Sequence, residues 1–278
     1  MSSSQPNGDA PWRVDLIEDE RVARLTLAAG RGNVLTIEVL GALRTALEPL
    51  ADTASLRAVV LAADGPDFSF GASVQDHLPG RMAEMLAAMN AAARALLDLD
   101  LPLLAAVQGL CFGGGLELAL LADRLVAAPD AQFATPEITL GVFAPLGSLL
   151  LPRAIGDHRA FAALVDGRPL FAEPAREAGL VQELAVDPVA AQLAWARYHL
   201  FDKSAFALRQ ATRAARMSWA PRLFEDLAHL ERQYVEELMG HPDPVEGLTA
   251  FLEKREPRWT CSRDERARAA PRRERPAR

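Results

Sequence analysis

The chain has 278 residues, half of them hydrophobic, and a formal net charge of −7. That length allows one large domain, or a domain with a helical appendage, and the acidic balance argues against a nucleic-acid module. Charged residues interrupt each apolar run before it reaches the length of a membrane span, and the opening residues Met1 to Gly8 lack the basic and apolar regions of a signal peptide, so the cytoplasm is the expected location.

Residues 1–12 are polar and Pro-containing and are expected to be disordered. Val14 to Ile17 and Val22 to Leu27 have the pattern of two short strands joined by Glu18-Asp19-Glu20. Gly30 to Asn33 is a loop, and Thr36 is placed to cap an amphipathic helix running to about Leu50. Leu56 to Ala62 is a buried-strand pattern closed by the turn Ala63-Asp64-Gly65-Pro66, after which Asp67 to Ser73 is a loop of small residues. A helix is predicted from about Arg81 to Asp98. A strand from Leu101 to Val107 then delivers Gly113-Gly114-Gly115. Strand–helix–strand order implies parallel pairing, and ligands bind beyond the C-terminal ends of such strands, where the two glycine-bearing loops fall and are expected to converge.

Beyond about residue 145 the pattern is helical: Leu146–Ile155, His158–Asp166, Glu173–Ala178, Pro188–Leu200, Ser204–Met217, Arg222–Met239 and Pro244–Glu253. The longest carries an apolar stripe of Leu223, Leu227, Leu230, Tyr234 and Leu238, expected to serve core or subunit packing. From Thr260 to Arg278 the tail is Arg-rich, Pro-punctuated and expected to be disordered.

The chemistry centres on the glycine triplet, with Glu117 one turn later and Glu137 on the Thr135-Pro136-Glu137 loop. Consecutive glycines at a helix start expose backbone N–H donors that favour negative charge. Donors for an oxyanion beside two carboxyls suit proton transfer at carbons next to a carbonyl. Cys111 sits in an apolar run and Cys261 in the polar tail, so neither a disulfide nor a metal cluster is expected. The five histidines lack metal-ligand spacing; His77, shortly after the small-residue loop, is the one of interest.

Four segments resemble the crotonase (enoyl-CoA hydratase/isomerase) superfamily in order and spacing. They are Asp67 to Ser73 (DFSFGAS), Val107 to Ala119 (VQGLCFGGGLELA), Phe133 to Gly141 (FATPEITLG) and Asp243 to Arg255 (DPVEGLTAFLEKR). The resemblance implies an α/β fold with a ββα superhelix (spiral) core, placed over residues 13–200. It also implies a C-terminal helical oligomerisation region over 201–259, with trimers often paired into hexamers. It implies that the backbone N–H groups of Ala72 and Gly114 form an oxyanion hole for an acyl-CoA thioester. Glu117 and Glu137 would orient water and shuttle protons, and Ser69, Phe70, Gly71, Gly113 and Phe143 would lie against the substrate. No metal or redox cofactor is implied, CoA being the handle of the substrate.

Two acids favour a hydratase over an isomerase, because one group must hold water while another delivers a proton to carbon. Phe70 stands where alanine is usual, Ser73 where aspartate is usual, and Leu140 to Ser148 (LGVFAPLGS) replaces the common glycine-rich run. These departures are similar to a subgroup that adds water 1,4 to a cyclic dienoyl thioester, cyclohexa-1,5-diene-1-carbonyl-CoA, in aromatic degradation, although Ala134-Thr135 departs from that subgroup's pattern. The alternatives are an ordinary enoyl-CoA hydratase/isomerase of fatty-acid β-oxidation and a non-catalytic acyl-CoA or RNA-binding relative. A serine hydrolase lacks its G-x-S-x-G elbow here, and a dinucleotide-dependent dehydrogenase its G-x-G-x-x-G turn.

Overall fold

The computed structural model describes residues 10–260. Most of the two terminal segments expected to be disordered, 1–9 and 261–278, lies outside the described residues. At the N-terminal end the expectation of disorder to residue 12 is corrected. Trp12 is buried, and its indole N–H donates to the Val39 carbonyl at 2.9 Å.

Strands β1 (Trp12–Ile17) and β2 (Val22–Leu27) form an antiparallel hairpin. Helix α1 (Ile37–Ala51) follows, with the Thr36 hydroxyl accepting from the Val39 N–H as expected of a cap. Next come β3 (Ala58–Ala63), α2 (Met82–Leu97) and β4 (Leu103–Val107). The chain then makes β5 (Leu110–Phe112), α3 (Gly114–Ala119), β6 (Arg124–Ala127) and β7 (Gln132–Ala134). Helices α4 (Pro145–Ile155) and α5 (Asp157–Asp166) lead through β8 (Leu170–Phe171), α6 (Ala172–Ala178) and β9 (Glu183–Leu184) to α7 (Pro188–His199). The chain continues with α8 (Ala205–Arg216), α9 (Ala220–Gln233), a π-helical turn over Tyr234–Leu238, and α10 (Pro242–Leu252).

A six-stranded sheet runs β1-β2-β3-β4-β6-β9, parallel except for the first pair. Its central strands read AVVLAA and LLAAV because both faces are covered. On β3, Val59 and Leu61 face the main core with α1 and α2, while Ala58, Val60 and Ala62 face Ala196 and Leu200. The period-two alternation thus fills two apolar layers from one continuous apolar run.

A second, three-stranded sheet pairs β5 with β7 in parallel and β7 with β8 antiparallel. This changes one expectation. The strand ending at Val107 does not itself deliver the glycine triplet; β5, in the second sheet, does. At three residues each, β5 and β7 are too short to produce a readable period. Arg216 ties the C-terminal helices to the sheet: it is buried, donates to the Leu97 and Leu101 carbonyls, and pairs with Asp123 at 2.6 Å.

Candidate active site

The two loops converge because the first is zipped along β5. The Phe68 N–H donates to Gln108 O at 2.9 Å, Ser69 N–H to Leu110 O at 3.0 Å, and Phe112 N–H back to Ser69 O at 2.9 Å. Gly71 has φ +102°, and a Cβ on it would lie 2.8 Å from the Phe112 carbonyl, so only glycine can make this crossing. Its turn sets the Ala72 amide beside Gly114. Among the described residues neither the Ala72 nor the Gly114 N–H donates to a backbone carbonyl, so two donors are presented side by side.

Each glycine of the triplet answers to a different neighbour. A Cβ on Gly113 would lie 2.6 Å from Glu137 Oε1, one on Gly114 3.2 Å from Ala72 N, and one on Gly115 2.5 Å from Ser69 Cβ. The Gly113 N–H donates to Ala134 O at 2.8 Å, which fixes the triplet to β7 and so to the loop bearing Glu137.

Glu117 is 5% exposed, and its Oε1 accepts from the Gly147 N–H at 2.8 Å, in the first turn of α4. Orphan amides at a helix start favour a carboxylate there. Burial nevertheless outweighs the Gly147 and Leu146 amides and raises the Glu117 carboxyl well above the ordinary value of 4.5. Glu137 Oε2 is buried with no hydrogen-bond partner among the described residues. Burial, and then the charge of Glu117, raise its carboxyl further. Burial of both acids, and the charge of Glu117 acting on Glu137, favour the protonated form of each carboxyl well above the ordinary carboxylate range.

The pair faces a cavity of about 360 Å³. Of the residues singled out from sequence, Phe70, Gly71, Ala72, Gly113, Glu117, Glu137 and Phe143 line it. Gly114 is buried against Ala72 and is not among the residues that line the cavity. The expectation that Ser69 contacts substrate is corrected: its side chain is fully buried, donates to Asn33 O at 2.8 Å and accepts from the Gly71 N–H at 3.0 Å. It braces the loop from behind.

Other cavity residues were not singled out as substrate contacts. His77 lines the wall with Nδ1 2.8 Å from Ser73 O, which fixes its tautomer, and burial lowers its pKa. From α2 and α9 come Asn90 and Glu231, whose side chains are hydrogen-bonded at 3.2 Å. Leu227, Leu248 and Phe251 show that the C-terminal helices wall the cavity as well as packing. A signal existed: Glu231 lies four residues from Leu227 and three from Tyr234, an acid on the edge of the apolar stripe.

Residues 18–262 match the family model described as "Enoyl-CoA hydratase/isomerase". A protein of Thauera aromatica called "Cyclohexa-1,5-dienecarbonyl-CoA hydratase" is 45% identical over 250 residues, covering 90% of this chain and 97% of that protein. The "2,3-dehydroadipyl-CoA hydratase" of Escherichia coli K12 is 36% identical over 246 residues, covering 86% and 94%. The crystal structure of an enoyl-CoA hydratase from Mycobacterium avium superposes with a TM-score of 0.79 at 29% identity, covering 91% of this chain and all of that one.

Proposed function

The chain belongs to the enoyl-CoA hydratase/isomerase (crotonase) family and is a hydro-lyase acting on acyl-CoA thioesters; we propose that its substrate is cyclohexa-1,5-diene-1-carbonyl-CoA. The observation that carries this substrate is the 45% identity, over nearly the whole length, to a relative bearing the name of that activity. The cavity supports it. Phe70 and Phe143 wall a space of about 360 Å³ with mostly apolar sides, suited to a flat ring.

In the proposed reaction the thioester oxygen accepts from the Ala72 and Gly114 N–H groups. Those donors stabilise the charge that develops as water adds, each contributing on the order of 3 kcal/mol. Ionised Glu117 takes a proton from the water, whose oxygen bonds to the ring carbon β to the carbonyl. The electrons move into an extended enolate. Protonated Glu137 then gives its proton to the far end of that enolate, leaving the double bond conjugated with the thioester in 6-hydroxycyclohex-1-ene-1-carbonyl-CoA. The proton acquired by Glu117 passes to Glu137 and resets the pair. These steps use acid–base groups and fixed donors, and the reading assigns no metal or redox cofactor. We also take the assembly to be a homotrimer or a dimer of trimers. The exposed Phe161, Val165, Phe171 and Phe206 are consistent with faces covered by other copies.

The direct test is kinetic. Purified protein is expected to hydrate the cyclic dienoyl-CoA with kcat/KM at least ~100-fold above that for crotonyl-CoA. The opposite ranking would assign the protein to linear enoyl chains, the reading favoured by its 2,3-dehydroadipyl-CoA hydratase relative.

A further inference from the structure

Two buried side-chain polar atoms among the described residues have no hydrogen-bond partner: Glu137 Oε2 and the Tyr234 hydroxyl. Native interiors leave few such atoms, and each costs about 1–3 kcal/mol. A phenylalanine at 234 would fill the same space without that cost, so the hydroxyl needs a reason.

Tyr234 is fully buried at the start of the π-helical turn that follows α9. Single π turns inside helices recur at functional sites. Its ring meets Phe143 edge-on, with centroids 5.2 Å apart and planes at 62°. It packs with Leu86, Val142 and Leu248, which, like Phe143, line the catalytic cavity. Val142 in turn donates its N–H to the Glu137 carbonyl at 3.1 Å, so the wall in front of Tyr234 is the segment that carries Glu137. Burial, and after it the neighbouring Glu137 and Glu117 carboxyls, keep the phenol neutral. A neutral phenol is a hydrogen-bond donor and a carboxyl oxygen an acceptor, so the two unpartnered groups are complementary.

We propose that Tyr234 is a positioning residue for Glu137, its hydroxyl donating to the Glu137 carboxyl and holding it toward the acyl group. No hydrogen bond joins the two in this structure, so the contact requires the Glu137 side chain to change torsion as substrate enters. The bond satisfies both orphaned atoms at once. This inference rests on the reading of Glu137 as proton donor.

The test is Tyr234→Phe, which removes one oxygen and keeps the ring. The expected result is a fall in kcat of about tenfold with KM within about twofold. A lost donor to a carboxylate pushes the carboxyl pKa up, so the alkaline limb of the kcat–pH profile is expected to move to higher pH. The other ionisable groups on the cavity wall, His77, Glu117 and Glu231, are unchanged in this variant. In a Glu137→Gln background, Tyr234→Phe is expected to cause no further loss, because the two act as a unit. Unchanged kcat and pH profile in Tyr234→Phe, whatever happens to Tm, would overturn the proposal. So would losses that multiply in the double variant. Near-normal turnover of Glu137→Gln alone would instead sink the proton-donor reading. A crippled Glu137→Gln beside a fully active Tyr234→Phe would sink only this inference.

Discussion

At the scale of single residues, the site is a set of close approaches around two buried acids. Gly113 has φ +51° and passes Glu137 Oε1 where a Cβ would stand 2.6 Å away. Gly113→Ala is therefore expected to strain the turn and displace the carboxyl, lowering kcat by at least ~100-fold, as steady-state kinetics would reveal. Glu117 and Glu137 also make stability depend on pH. Their folded pKa values are raised above the ordinary 4.5, so the folded protein binds protons that the unfolded chain releases. Stability is then fullest below about pH 4.5 as far as these groups are concerned, and falls as pH rises through their folded values, by about 1.4 kcal/mol per pH unit for each proton. Urea midpoints measured from pH 5 to pH 9 are expected to decline in the wild type. The Glu117→Gln/Glu137→Gln double variant is expected to decline less, and an identical slope would contradict the burial of these acids.

At the scale of elements, the sequence disclosed the long ones and hid the short ones. The Thr36 cap and helix α1, the β2 and β3 strands and the C-terminal helices were legible because their apolar periods run over enough residues to stand out. Strands β5 and β7 were not, although they carry the glycine triplet and hold the Glu137 loop in place. The start of α4 was legible as a helix but not as the anion site that receives Glu117, because that role depends on which residue 30 positions away is folded against it. Arg216 shows the same dependence: nothing in its surroundings in sequence marks it as buried, yet it joins α8 to Leu97, Leu101 and Asp123. Removing it takes the charged partner from Asp123, which keeps the Leu103 N–H, and one donor each from the Leu97 and Leu101 carbonyls, so Arg216→Met is expected to destabilise the fold by about 2 kcal/mol in urea titrations. A loss under about 0.5 kcal/mol would show that α8 is held by its apolar face alone.

At the scale of the whole molecule, the proposed assembly predicts a mass. Light scattering is expected to give three or six times the 30.0 kDa chain mass, and a monomer at micromolar concentration would refute the trimeric reading. The sequence by itself singled out the pair Glu117 and Glu137 through local spacing, a triplet of glycines, an acid one turn on and a Pro-Glu loop, while the fold class and the family came from the resemblance of four segments. It also placed Ala72 beside Gly114, through resemblance rather than geometry. Only the tertiary structure decided that Ser69 faces inward to brace the loop and that His77, Asn90 and Glu231 reach the cavity. It alone left Glu137 Oε2 and the Tyr234 hydroxyl buried without a hydrogen-bond partner among the described residues. The physical reason is that burial, and with it the raised carboxyl pKa values and the meaning of an unpaired hydroxyl, belongs to surfaces brought together from distant parts of the chain.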